Sequence, residues 1–182
     1  FKKAKKILNK KGIKTKLIQS KKYKNFYKSY FINKKNKIPF ISAKIAFSKD
    51  NLTINQKKKW ITNEFSRKVS HLLRHQHNAI LSTSKSINTD NSILNCRING
   101  FNNNKPDLLI VDLNLKLKKN LLLNKILDKR KTFLITLKIN KKKTVPYKKK
   151  GYKIILVDCL KTKKDFNLLY KKLYKMGYSR IL

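Results

Sequence analysis

Residues 70–77 read Ser-His-Leu-Leu-Arg-His-Gln-His, three histidines and an arginine within eight positions. His71 and His75 stand four apart, a spacing that on a helix can hold a metal ion. The usual partners are missing: no Glu follows the first His, no Cys lies near, and Glu64 sits upstream. A helix surface followed by a helix-to-strand turn accounts for His71, His75 and His77 equally well, and no metal is expected. Cys96 and Cys159 are far apart and in no C-x-x-C pattern, so a reducing, cytoplasmic setting is the natural one. The chain has no H-x-E…P-C-x-x-C zinc deaminase signature, no G-x-G-x-x-G and no P-loop. What remains is a series of short polar–apolar signatures: AKIAFSKD (43–50), KKWIT (58–62), LLR (72–74) and TDNSILNCR (89–97). They imply a cleft, with Lys44 set in an apolar run and Arg74 and Arg97 available for a phosphate.

The formal net charge of +40 points first to a polyanion. Two features argue against a specific nucleic-acid partner. Of 48 basic residues only Arg67, Arg74, Arg97, Arg130 and Arg180 are arginine, the residue that planar recognition of phosphate and bases favours. The lysines are spread throughout and accompany Asn and Ile, residues with AT-only codons, so genome base composition accounts for them. A basic RNA-binding or ribosome-associated protein is the alternative reading. It rests on this charge and on KKYKNFYKSYFINKK (21–35), where lysines flank Tyr23, Phe26, Tyr27, Tyr30 and Phe31.

The elements that must position these groups follow from apolar periodicity. Residues 1–13 read as the end of a helix stopped by Gly12, and Ile13 to Ile18 as a short strand. Residues 21–35 read as an amphipathic helix whose aromatic face packs on a core. ISAKIAF (41–47) reads as a strand, followed by a polar loop through Lys59. Thr62 is placed to cap a helix running to Leu73, with Phe65, Val69, Leu72 and Leu73 on its apolar side. Strands are expected at 78–82, 107–112, 132–138 and 153–158, and another from Ser179. Residues 84–90 form a short helix or turn, 119–128 and 164–176 helices, and 95–106 and 139–151 polar connections. Strands alternating with helices imply an α/β fold with parallel pairings. Ligands in such folds gather beyond the carboxyl ends of the strands. No stretch reaches the roughly 18 apolar residues of a membrane span, so no membrane partner is expected.

The ordered set AKIAFSKDN, KKWITNEFSRK, HLLRHQHNAIL and SINTDNSILNCR resembles the reductase domain of the bifunctional riboflavin-biosynthesis deaminase/reductases. That family shows K-x-A-x-S-x-D-G, then W-I-T-S, a helix ending L-R-x-x-x-D-A-I, and T-V-x-x-D-x-P-x-L-x-x-R. Order and spacing agree over residues 40–97, and PDLLIVD (106–112) resembles the strand that follows. Phe1 to Ile18 resembles the tail of the preceding deaminase domain. The expected division is therefore 1–38, deaminase tail plus linker helix, and 39–182, reductase domain. The resemblance implies a three-layer dihydrofolate-reductase-like α/β domain with a mostly parallel central sheet.

It also implies NADPH-dependent reduction of the ribosyl group of 5-amino-6-(5-phosphoribosylamino)uracil. Position by position, Lys44 falls beside the ribosyl carbonyl, where an ammonium polarises or protonates the oxygen as charge develops. Ala46, Trp60, Ser86, Asp90 and Leu113 fall on cofactor positions. Lys58, Arg74, Leu94 and Arg97 fall on substrate positions, with the two arginines suited to the 5-phosphate. Any zinc belongs to the deaminase domain, and a homodimer is compatible with the reading. Trp60 is equally suited to anchoring the loop on the helix, and Asp50 to a turn. The chain departs from the family at Lys49, at Asn51 in place of Gly, and at Asn78 in place of Asp. Asn tolerates a left-handed backbone, so the turn at 48–51 is expected to survive. The family continues V-E-G-G beyond a strand like Ser179–Leu182, carrying cofactor phosphates and a substrate carboxylate, and on that ground the 182 residues alone are expected to be inactive.

Overall fold

The apolar runs are buried on both faces, which is why they read as nearly continuous hydrophobic segments rather than alternating ones. Along residues 108–110, Leu109 enters one core cluster while Leu108 and Ile110 enter the other. Phe133 and Ile135 likewise part from Leu134, and Ala79 from Ile80. A sheet with a core on each face must be covered twice, and helices supply the covers.

The computed structural model describes residues 2–16, 18, 20–53, 60–101 and 106–182. In chain order its elements are α1 (Lys2–Lys10), α2 (Lys21–Phe26), α3 (Lys28–Asn36), β1 (Phe40–Ile41), α4 (Glu64–His75), β2 (Ala79–Thr83) and α5 (Ser84–Asp90). They continue with β3 (Asp107–Val111), β4 (Thr132–Leu137), α6 (Val145–Lys149), β5 (Lys153–Val157), α7 (Lys163–Lys175) and β6 (Arg180–Ile181). The strands form one sheet in the order β1-β6-β2-β3-β4-β5, and every pairing is parallel. One core joins Leu169 and Leu173 of α7 to the sheet, and the other joins Ile87 of α5 and Leu123 to the opposite face. The three-layer α/β architecture expected from the resemblance is thus present.

Several elements differ from the sequence reading. The strand expected over 41–47 is confined to Phe40–Ile41. Its neighbour β6 pairs only through Arg180–Ile181, and the last bond on that edge runs from Ser42 N–H to the Ile181 carbonyl. Lys44 therefore lies in an irregular, exposed segment, and the argument from a lysine inside an apolar strand does not hold. Ile13–Lys16 and Ile18 have no regular structure, and Leu17 lies outside the described residues. The helix expected over 119–128 shrinks to a 3-10 turn, Leu122–Ile126. The cap of α4 is Asn63 rather than Thr62: Asn63 Oδ1 accepts from Ser66 N–H at 2.9 Å, and the Thr62 carbonyl accepts from Arg67 at 2.7 Å. The 139–151 connection holds two 3-10 turns and α6.

The aromatic helix breaks into α2 and α3, and neither buries a residue. Tyr23, Phe26, Tyr27, Tyr30 and Phe31 are 51–77% exposed, and the last four touch edge-on in a chain, so they do not pack on a core. Polar bonds hold α3 to the sheet edge instead. Asn33 Nδ2 donates to the carbonyls of Ile38 and Ser179, and Arg180 donates to Ser29 Oγ. Asn78 closes the inserted strand: its Oδ1 accepts from Ser179 N–H, Ser179 Oγ and Arg180 N–H, tying β6 to the start of β2.

Candidate active site

Lys44 and Ala46 follow the carboxyl end of β1, and the segment is pinned on both sides of them. Upstream, Ser42 Oγ meets His77 Nε2 at 2.8 Å. Downstream, Ser48 forms a tight turn, its N–H and Oγ donating to the Leu52 carbonyl while Asn51 takes φ +63°. The turn that elsewhere uses glycine survives with Asn, as expected.

His77 is buried, and its Nδ1–H donates to the Leu73 carbonyl at 2.6 Å, which leaves Nε2 to accept from Ser42. Burial, and next the Arg180 charge, hold its pKa below the usual range, only partly opposed by the Leu73 bond. The neutral ring is therefore the native form. As pH falls through about 6.5 the unfolded chain takes up the proton first, so stability present above that pH declines below it. His71 shifts in the same direction. The expected result is a melting temperature that falls between about pH 7 and pH 5, with part of that slope removed in His77→Asn. Equal slopes in the two proteins would show that His77 is not the linked group.

The cofactor candidates lie on the carboxyl side of β2 and β3. Ser86 stands in the first turn of α5, where its N–H donates to Thr83 Oγ1, the capping group. Asp90 is the last residue of α5 and is exposed. Leu113 follows β3, and its carbonyl already accepts from Thr136 Oγ1 and Asn140 Nδ2. Trp60 is exposed, and the Arg67 guanidinium lies over its ring at 5.1 Å, so its indole does anchor the segment before α4. Lys58 lies outside the described residues.

Arg74, Leu94 and Arg97 are brought together, together with His71. α4 runs antiparallel to the strands, so its last turn, carrying Arg74, lies toward their amino ends. The segment 93–97 crosses it without regular structure and is held at nearly every residue. Arg130 donates from Nη1 to the Ile93 carbonyl and from Nη2 to the Leu94 carbonyl. Arg74 Nη1 donates to the Asn95 carbonyl at 2.9 Å, and Arg97 N–H donates to His71 Nδ1 at 3.1 Å. Burial, then the Arg74 and Arg97 charges, keep the His71 pKa low, and burial, then the Arg97 charge, lower that of Arg74. His71, accepting from Arg97 N–H, is neutral, and the positive charge beside it comes from the Arg74 and Arg97 guanidiniums, which an anion would neutralise. Leu94 takes φ +56°, a conformation that costs a bulky residue about 1–2 kcal/mol and is tolerated only where surroundings impose it.

Three groups escaped the sequence reading: Arg130, the Ser42–His77 contact, and Asp112. Asp112, buried at the end of β3, accepts from Ser84 Oγ, Lys116 N–H and Leu117 N–H, joining the start of α5 to the strand below it. A cleft of about 660 Å³ opens at the amino ends of β2, β3 and β4 and includes Arg130 but none of the candidate residues. Among the described residues no group of His, Cys, Asp or Glu is arranged for a metal, and no helix is long and apolar enough to cross a membrane.

The fold recurs in solved structures. The chain superposes on Acinetobacter baumannii RibD with a TM-score of 0.74 at 17% identity, covering 99% of this chain and 49% of that one. A Thermotoga maritima diaminohydroxyphosphoribosylaminopyrimidine deaminase/5-amino-6-(5-phosphoribosylamino)uracil reductase gives 0.69 at 21% identity, covering 87% and 42%. The Saccharomyces cerevisiae riboflavin biosynthesis reductase Rib7 gives 0.62 at 20%, covering 87% and 69%. At these identities the likeness is one of fold. In sequence, the riboflavin biosynthesis protein RibD of Buchnera aphidicola subsp. Baizongia pistaciae is 37% identical over 84 residues, 45% of this chain and 23% of that protein. The chain thus spans about half or less of the RibD proteins it matches. Residues 39–182 match the family model of the RibD C-terminal domain, and so the chain belongs to the RibD C-terminal domain family, the reductase family that its ordered motifs resemble.

Proposed function

We propose that this domain reduces the ribosyl group of 5-amino-6-(5-phosphoribosylamino)uracil to the ribityl product with NADPH, in a cytoplasmic riboflavin pathway. The observation that carries the reading is the notch formed by Arg74, Arg97 and His71 beside a strained Leu94. It offers a phosphate concentrated positive charge and a guanidinium fork. Arg74 spends one of its donors on Asn95 and keeps others, while the Arg97 side chain is exposed. The carboxyl edge of the sheet suits a dinucleotide, with the Ser86 hydroxyl and Asp90 carboxylate exposed and Ala46 adding no bulk. Held there, NADPH would supply the hydride. As hydride reaches ribosyl C1′ the C1′–O4′ bond breaks, and Lys44 delivers the proton that turns O4′ into a hydroxyl of the ribityl chain. Residues 1–38 belong, in this reading, to the deaminase side of a longer protein, which holds any zinc.

Ribose 5-phosphate, as the phosphate-bearing part of the substrate, is expected to bind and to lose about ten- to a hundredfold in affinity in Arg97→Ala or Arg74→Ala, the worth of one charge-assisted bond. Calorimetric titration at moderate salt checks this, and equal binding by all three proteins would remove the phosphate notch from the reading. A second reading, binding of a single-stranded polyanion, is favoured by the exposed aromatics of α2 and α3 among lysines. Salt-sensitive RNA binding combined with no affinity for NADPH would select it.

A further inference from the structure

Three of the five arginines in this lysine-rich chain converge on residues 93–97. Two of them, half-buried Arg74 and exposed Arg97, form the proposed phosphate notch. The third, Arg130, is 3% exposed and cannot touch a ligand there. It stands just before β4, anchored in the sheet, and its two terminal nitrogens each take one of two successive carbonyls, Ile93 and Leu94. A residue with φ +56° and no glycine needs such over-determination to stay put. Two parallel donors in fixed geometry are what a guanidinium has and an ammonium lacks. This explains why arginine stands between Lys129 and Lys131.

We propose that Arg130 is a positioning residue for substrate phosphate binding: its fork on the Ile93 and Leu94 carbonyls holds Leu94 left-handed and thereby sets Arg97 against Arg74. The inference rests on the reading of Arg74 and Arg97 as the phosphate site. Arg130 contributes nothing to the ligand directly, so its whole effect on affinity passes through Arg97 and its neighbours.

The experiment is a double-mutant cycle on the 182-residue chain, with ribose 5-phosphate titrated calorimetrically in the presence of competing inorganic phosphate. Arg130→Met keeps the stem and removes the fork, and is expected to weaken binding about tenfold or more, like Arg97→Ala. The double variant Arg130→Met/Arg97→Ala is expected to bind no more weakly than Arg97→Ala alone, because a residue acting through Arg97 has nothing left to position. Arg130→Lys keeps the charge and is expected not to restore affinity. It replaces the Met variant in the cycle if that protein does not fold. Additive losses in the cycle, or full affinity in Arg130→Lys, overturn the positioning role while leaving the phosphate site standing. If the unaltered chain takes up no ribose 5-phosphate, the phosphate site falls and the positioning role with it.

Discussion

Lys44→Ala is expected to lower turnover about 10²- to 10³-fold in a protein carrying this domain, the usual effect of removing one donor aimed at developing oxyanion charge. The loss should fall on kcat, with binding of ribose 5-phosphate unchanged, because an interaction made mainly in the transition state leaves ground-state affinity alone. Lys44 is suited to that role by its support rather than by burial. It lies midway between two fixed points, Ser42 on His77 and the Ser48–Leu52 turn, so its short exposed segment is held at both ends. Lys44→Arg is expected to recover little, since a guanidinium does not release its proton in the working pH range. Stopped-flow oxidation of NADPH with the aminouracil substrate gives both parameters, and normal turnover in Lys44→Ala would remove Lys44 from the chemistry. His77→Asn offers an internal comparison: it loosens one anchor while leaving the ammonium in place, so its effect on kcat should be smaller.

Asp112→Ala should be the most destabilising of the substitutions considered, by about 3 kcal/mol. For a chain of this size that is a fall in melting temperature of roughly 6–12 °C. The Asp112 carboxylate is buried and takes three donors, the Ser84 hydroxyl and the N–H groups of Lys116 and Leu117. Removing it leaves these donors without an acceptor in a region that excludes water, and an unsatisfied buried donor costs more than the bond it made was worth. Asp112→Asn should lose less, because the amide keeps one acceptor while turning its NH₂ on a donor. The loss also reaches the proposed cofactor side, since Ser84 begins the helix that carries Ser86 and Asp90. Thermal unfolding followed by circular dichroism is sufficient, and a melting point within about 2 °C of the parent, less than the shift of 1 kcal/mol, would show that the three bonds are expendable.

How much of this was legible beforehand depends on the range of the interaction. The runs at 107–111, 132–137 and 153–157 announce themselves because strands buried on both faces need unbroken apolar sequence. Helix α7 is equally local: Thr162 and Asp165 form a reciprocal capping box three residues apart. The turn at Ser48–Asn51 and the kinship of residues 40–97 were also written in short spacings. Misreadings gathered where local pattern and tertiary need diverge. Small and β-branched residues made ISAKIAF look like a strand, yet a strand exists only as far as a neighbour offers pairing, and β6 offers two residues. Aromatics at helical spacing suggested a packed face at 21–35, but spacing says nothing of whether a core lies opposite.

By itself, then, the sequence determined the strands buried on both faces, their alternation with helices, the family, and the two arginines that stand out against a lysine background. The tertiary structure decided the insertion of the last strand between β1 and β2. It also decided the contact of Ser42 with His77 across 35 residues and the grip of Arg130 on carbonyls 36 and 37 residues away. Periodicity and capping are properties of neighbours along the chain, so residue order records them. A hydrogen bond from a buried guanidinium to a distant backbone carbonyl uses no side chain of its partner, and leaves no mark on the partner's sequence.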